Sequence, residues 1–149
     1  MFSKRILVLV WGVFLILLWI SPAQAQMTMI SQFKGVEIPF NFKYEESVLK
    51  KGKYDLEVLF SKVDAQSYYY LKIMQKGKSP CHIPGQRLEY QSLTIAELAK
   101  DPNIPKQPTI RMKKVPASNT VNILFESGKT GNFPFEKVVF KVEQIPEAK

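Results

Sequence analysis

Apolar and polar residues alternate along most of this chain, which predicts β-strands with one buried face. In the first such run Val36, Ile38 and Phe40 fall on every second position, and Pro39, which has no amide hydrogen, favours an edge strand or one side of a bulge there. The alternation, or a shorter trace of it, recurs in seven segments: 36–42, 54–60, 67–75, 88–90, 109–115, 121–125 and 135–142.

Short polar turns separate most of these segments, as in an antiparallel meander. One helix interrupts them, because Thr94 and Glu97 are spaced as a capping box. That helix must be short, since the residue before Pro102 is pushed out of the helical region. We therefore predict an all-β fold, an antiparallel β-sandwich or small barrel of about seven strands with one short helix.

The N-terminal segment has the pattern of an export signal. Lys4 and Arg5 precede an apolar run over 6–20, and Ala23-Gln24-Ala25 gives a small-x-small cleavage pattern. An uncleaved membrane anchor is the alternative, although that run is shorter than the roughly 20 residues a spanning helix needs. We expect a signal peptide over 1–25, a flexible lead over 26–35, a sandwich domain over 36–145 and a tail over 146–149.

Composition favours a periplasmic or secreted bacterial protein. Cys81 is the one cysteine, so no disulfide forms within the chain and the fold must rest on apolar packing. No Asn-x-Ser/Thr sequon is present. Two of the 21 basic residues and none of the 13 acidic residues precede Gln26, which leaves a mature chain of charge +6. Such a charge favours solubility and attraction to anionic polymers.

A short signature spans the first two predicted strands. Ile38-Pro39-Phe40-Asn41-Phe42 is followed by Leu49, Gly52 and Tyr54, which gives V/I-P-F-x-F and then L-x-x-G-x-Y. In these residues the chain resembles a group of small exported all-β bacterial proteins without an assigned activity. The resemblance covers about twenty residues, implies the fold and leaves the function open.

Candidate catalytic and metal-binding residues are few. His82 adjoins Cys81, but neighbours on an extended chain point to opposite sides, and a metal site needs three or four ligands. Met27 and Met29 offer two soft thioethers for Cu(I). Asp55 and Glu57 share one face of a strand, a spacing that a hydrolase pair and a solvated sheet face have in common. We predict no catalytic residue, no metal site and no cofactor.

A tyrosine-rich strand carries the best candidate binding site. Tyr68, Tyr70 and Lys72 should face solvent together, offering flat rings and a cation to a glycan, an anionic polymer or an envelope protein. We add Arg111 to this tentative surface. Nucleic acid uses the same ingredients, but an exported protein seldom meets it, and we expect no membrane contact after signal cleavage.

Two functions from different classes follow. The first is an exported, non-enzymatic β-sandwich that acts by binding or association in the envelope or outside the cell. The alternative is a carrier of small apolar ligands, with an interior cavity of a few hundred Å³. Four phenylalanines would line that cavity: Phe40, Phe42, Phe60 and Phe125.

Overall fold

The computed structural model describes residues 26–88, 94–129 and 136–147. It confirms an antiparallel all-β fold with one short helix. The strands are β1 (Thr28–Ile38), β2 (Phe42–Tyr44), β3 (Ser47–Leu49), β4 (Gly52–Val63), β5 (Gln66–Met74), β6 (Cys81–Arg87), β7 (Thr109–Lys114), β8 (Thr120–Glu126) and β9 (Lys137–Gln144), and the helix is α1 (Ile95–Lys100).

The strands form one continuous sheet that curls into a nearly closed barrel. Its main order is β1-β4-β5-β6-β9-β2-β3, and β8 and β7 continue from the other side of β9. The far parts of the sheet meet across the interior, where the ring of Phe33 on β1 lies edge-on to Phe125 on β8 with centroids 6.2 Å apart. One curved sheet therefore supplies both walls of the core.

Strand β9 is the branch point of the sheet. Its first half pairs with β6 over 138–140, whereas Glu143 and Gln144 pair with β2 on the same side. The β6–β9 ladder starts at Gly85, directly after Pro84, which has no amide hydrogen to donate. The sheet thus forks between β6 and β2, and we call this place the fork.

The inward face of every long strand is apolar. Alternation along β4 places Tyr54, Leu56 and Val58 inside, and all three are buried. The same period buries Tyr69 on β5 and Phe140 on β9. Burial of this kind contributes about 25 cal/mol per Å² of apolar surface, so the fold holds together without a disulfide.

The expectation of a flexible lead over 26–35 is wrong for most of its length, because β1 already begins at Thr28. The strand pairs with β4 from Thr28 to Ile38, and register shifts between Met29 and Ser31 and between Phe33 and Val36 break its alternation. A bulge of this kind hides a strand from a strict two-residue pattern. The edge position of β1 is confirmed, although the strand ends before Pro39.

Other segments differ in their bounds. The connection over 43–53 contains the short hairpin of β2 and β3. The strand expected near Leu88 and Tyr90 lies earlier, as β6, and Tyr90 is outside the described residues. The helix is confirmed, with the Thr94 hydroxyl accepting from the Glu97 amide and Asp101 as its C-cap.

The expected signal peptide over 1–25, Phe135 and the end of the tail also lie outside the described residues. Among the residues that the structure describes, no helix is long and apolar enough to cross a membrane.

Candidate functional site

The outward faces of four adjacent strands carry a row of large apolar side chains. Met29 on β1 pairs with Leu59 on β4, which pairs with Tyr70 on β5, which pairs with Pro84 on β6. Tyr68 lies two positions before Tyr70 on the same side of β5. We call this surface the tyrosine face: Met29, Leu59, Tyr68, Tyr70 and Pro84.

Exposed apolar area is concentrated around the tyrosine face. Of the five large apolar side chains exposed in the described chain, Met29 and Tyr68 belong to this face, Val63 follows at the end of β4, and Met27 directly precedes β1. The fifth, Val48, lies on β3. Contiguous apolar area of this kind is typical of a contact surface, whereas single exposed side chains such as Val48 need no explanation.

Tyr68, Tyr70 and Lys72 share this outward side of β5, as their spacing predicted. The Tyr68 hydroxyl donates to Gln66 Oε1 at 2.6 Å, and Tyr70 is half-buried between Leu59 and Pro84. The Lys72 ammonium pairs with Glu57 at 3.1 Å, and Gln32 donates to the same carboxylate. The two rings are therefore available for contact, while the charge of Lys72 is already balanced.

Arg111 does not join the tyrosines. It lies on β7, and the path to β5 runs through β8, β9 and β6, about 19 Å at the usual strand spacing. Its Nη2 lies 2.5 Å from Oε2 of Glu126, a carboxylate that is buried. Grouping Arg111 with the tyrosines was wrong, because sequence alternation gives the side of a strand and not its neighbours.

A cleft opens where the sheet forks, and no pattern in the sequence predicted it. Its volume is about 300 Å³. The half-buried Tyr44 packs against the core and also lines this cleft, so it lies at the base of the fork. We call it the fork cleft, and its lining residues are Tyr44, Pro84, Gly85, Gln86, Val139 and Lys141.

Gly85 is required at the fork by close packing. A Cβ atom on this residue would lie 2.4 Å from the Phe140 ring and 2.6 Å from Val138. Because the core comes so close to the backbone here, any side chain larger than hydrogen would overpack it.

Cys81 and His82 point to opposite sides of β6, as expected for neighbours on a strand. Cys81 is buried and His82 is exposed beside Lys72. Burial raises the pKa of the Cys81 thiol, which keeps it protonated and unreactive. Within the described ranges, no three His, Cys, Asp or Glu residues are placed to hold a metal ion.

The carboxylates of Asp55 and Glu57 both have structural partners. Asp55 Oδ1 accepts from the amide of Gly35 at 2.8 Å, and Gly35 has a φ of 63° in the irregular part of β1. Glu57 is held by Lys72 and Gln32. Both side chains therefore hold neighbouring strands together.

The four phenylalanines of the carrier alternative take part in ring packing. Phe42 and Phe125 are fully buried. Phe40 lies edge-on to Phe42 at 6.1 Å, and Phe60 lies 5.3 Å from Tyr69. Aromatic pairs at such distances stabilise a filled core.

In comparisons with known proteins, no family model, curated protein or solved structure matches this chain.

Proposed function

We propose that this chain is an exported, non-enzymatic binding protein whose tyrosine face holds an extended polysaccharide of the cell envelope or its surroundings. The observation that carries the proposal is the concentration of exposed apolar side chains on and beside this face, whereas the other outward positions among the described residues are mostly polar. Such a face needs a partner, since a soluble protein gains nothing by exposing it.

The chemistry of the face suits a sugar chain. The rings of Tyr68 and Tyr70 present apolar area together with a hydroxyl, which matches a ligand with apolar C–H faces and polar rims. Amide side chains flank the rings, because Gln66 accepts from Tyr68 and Gln86 lies two positions along β6 from Pro84. Tyrosine rings that stack on the sugar, together with amides that bind its hydroxyl groups, can orient a polyhydroxylated chain.

Two observations favour binding over the other functions considered. The phenylalanines of the carrier alternative contact other rings in the core, which favours a filled interior over a ligand cavity. Asp55 and Glu57, the best hydrolytic pair, are held by Gly35 and Lys72 on an outward face.

Co-sedimentation of the purified chain from Gln26 onward with insoluble envelope polysaccharide tests the proposal. The double variant Tyr68→Ser with Tyr70→Ser should bind at least about tenfold more weakly, since each lost ring contact is worth about 1 kcal/mol. Val48→Ser is the matched control, because Val48 is 65% exposed and lies off this face. Equal binding by the double variant, or binding to envelope proteins alone, contradicts the proposal.

A further inference from the structure

We propose that the fork cleft is a subsite for an acidic sugar, one carrying a carboxylate or sulfate group, within the polysaccharide that the tyrosine face holds. This inference rests on the proposed function and names the class of its ligand. It rests on three features of the fork: its connection to the tyrosines, the ammonium of Lys141, which is unpaired among the described residues, and the hydrogen-bonding groups of Tyr44 and Gln86.

The fork cleft is continuous with the tyrosine face. Pro84 belongs to both, because it pairs with Tyr70 on one side and lines the cleft on the other. From β5 to β9 the surface spans two strand spacings, about 10 Å. A chain stacked on Tyr70 and directed across the strands therefore reaches the cleft without leaving the surface.

One cation at the fork, Lys141, is uncompensated among the described residues, whereas Lys43 across the fork pairs with Glu143. Lys72 and Arg111 are paired with Glu57 and Glu126. Lys141 lines the cleft and is exposed, and within the part of the chain that the structure describes it makes no ion pair. An ammonium in this position attracts an anionic group on a ligand.

The same row continues past the cleft with further polar groups. Lys141 pairs with Asn122 on β8, which pairs with Lys113 on β7. The Asn122 Oδ1 atom is buried without a hydrogen-bond partner among the described residues, and Lys113 is exposed. A row of cation, amide and cation beside the cleft matches an acidic, hydroxylated ligand better than an apolar one.

The other side of the cleft offers further hydrogen-bonding groups. Tyr44 has a side-chain hydrogen bond with Glu45, and burial together with this carboxylate raises the pKa of Tyr44. The hydroxyl therefore stays protonated, and Glu45 is an acceptor for sugar hydroxyls. Gln86 adds an amide on the β6 wall. Lys141 would therefore bind the acidic group of the sugar, and Tyr44 and Gln86 would bind its hydroxyl groups.

Calorimetric titration with two probes tests the inference: a short oligogalacturonate, which is acidic, and a cello-oligosaccharide of the same length, which is neutral. The wild-type chain should bind the acidic probe more tightly, and this preference should shrink with added salt. Lys141→Gln should weaken acidic binding about tenfold, because it removes a charge-assisted hydrogen bond to the acidic group. Neutral binding should stay within about twofold of wild type.

Lys34→Gln is the matched control, since Lys34 is an exposed cation on β1, away from the cleft. It should leave both affinities unchanged. Unchanged acidic binding by Lys141→Gln, or an equal loss in Lys34→Gln, overturns the subsite. Because Lys141 is exposed, the melting temperature of its variant should match wild type and exclude misfolding.

The two proposals fail in different ways. If both probes bind equally and the tyrosine double variant binds neither, the tyrosine face stands and the acidic subsite falls. If Lys141→Gln loses the acidic probe while the tyrosine double variant keeps it, the subsite stands and the tyrosine face falls. If neither probe binds the folded wild-type chain, both proposals fall.

Discussion

Three consecutive tyrosines on β5 divide between two environments that differ in almost every physical respect. Tyr69 points inward and is 3% exposed, whereas Tyr68 points outward and is 41% exposed. Tyr69 packs against Phe60 and has a hydrogen bond to Glu136, which in turn pairs with Arg87. The Tyr68 hydroxyl donates to Gln66, two positions earlier on the same strand.

The difference shows that one residue type serves the core and the surface of the same strand. The inward ring is fixed by packing and by its bond to a carboxylate, so its replacement should cost stability. The outward rings are exposed or half-buried and available to a ligand, so their replacement should weaken binding. The predictions below test this division, starting with the largest expected effect.

Tyr69→Ala should lower the free energy of unfolding by about 3 kcal/mol or more, the range found when a large buried ring is removed. The loss combines a cavity beside Phe60 with an unpaired acceptor on Glu136. Tyr68→Ala should change stability by less than about 0.5 kcal/mol, as is usual for surface positions. Urea unfolding of both variants measures the difference, and equal losses would mean that the inward and outward rings are not distinct.

Gly85→Ala should cost about 1–3 kcal/mol, because the added methyl group meets the Phe140 ring at 2.4 Å and overpacks the core. Gln86→Ala is the control, since the next residue points outward and is exposed. Thermal unfolding compares the two variants. An unchanged melting temperature in Gly85→Ala would show that the core at the fork can shift to accommodate the methyl group.

Asp55→Ala should cost about 1 kcal/mol, since it removes the acceptor for the Gly35 amide that fixes the irregular part of β1. The outward side of β4 thus holds a structural contact close to the binding face. Glu46→Ala, at an exposed turn carboxylate, should be neutral. Amide hydrogen exchange of Gly35 provides a local readout, and unchanged protection there would refute this role.

The smallest effect is on the pH dependence of stability. Burial and the nearby Glu136 raise the pKa of Tyr69 above the ordinary value near 10. A raised folded-state pKa stabilises the protein fully below pH 10, and this contribution is lost as the pH rises through the folded-state value. The urea midpoint should therefore fall above about pH 10, and less steeply in Tyr69→Phe. Tyr68→Phe should follow the wild-type curve.

The candidate site was predictable only along single strands. Alternation placed Tyr68, Tyr70 and Lys72 on one side of β5, because successive side chains of any strand point to opposite faces. It did not show that Glu57 neutralises Lys72, or that Met29 and Pro84 extend the surface. Those contacts join residues far apart in the chain, and the period of a single strand carries no information about its neighbours.

By itself, the sequence determined the all-β class, the turns, the capped helix and the inward residues of the long strands, since these depend on local period and turn chemistry. Tertiary structure alone decided that β9 is shared between β6 and β2, that Arg111 lies four strands from Tyr68, and that Tyr44 and Lys141 line one cleft. Strand order depends on how distant segments pair, which no local pattern encodes.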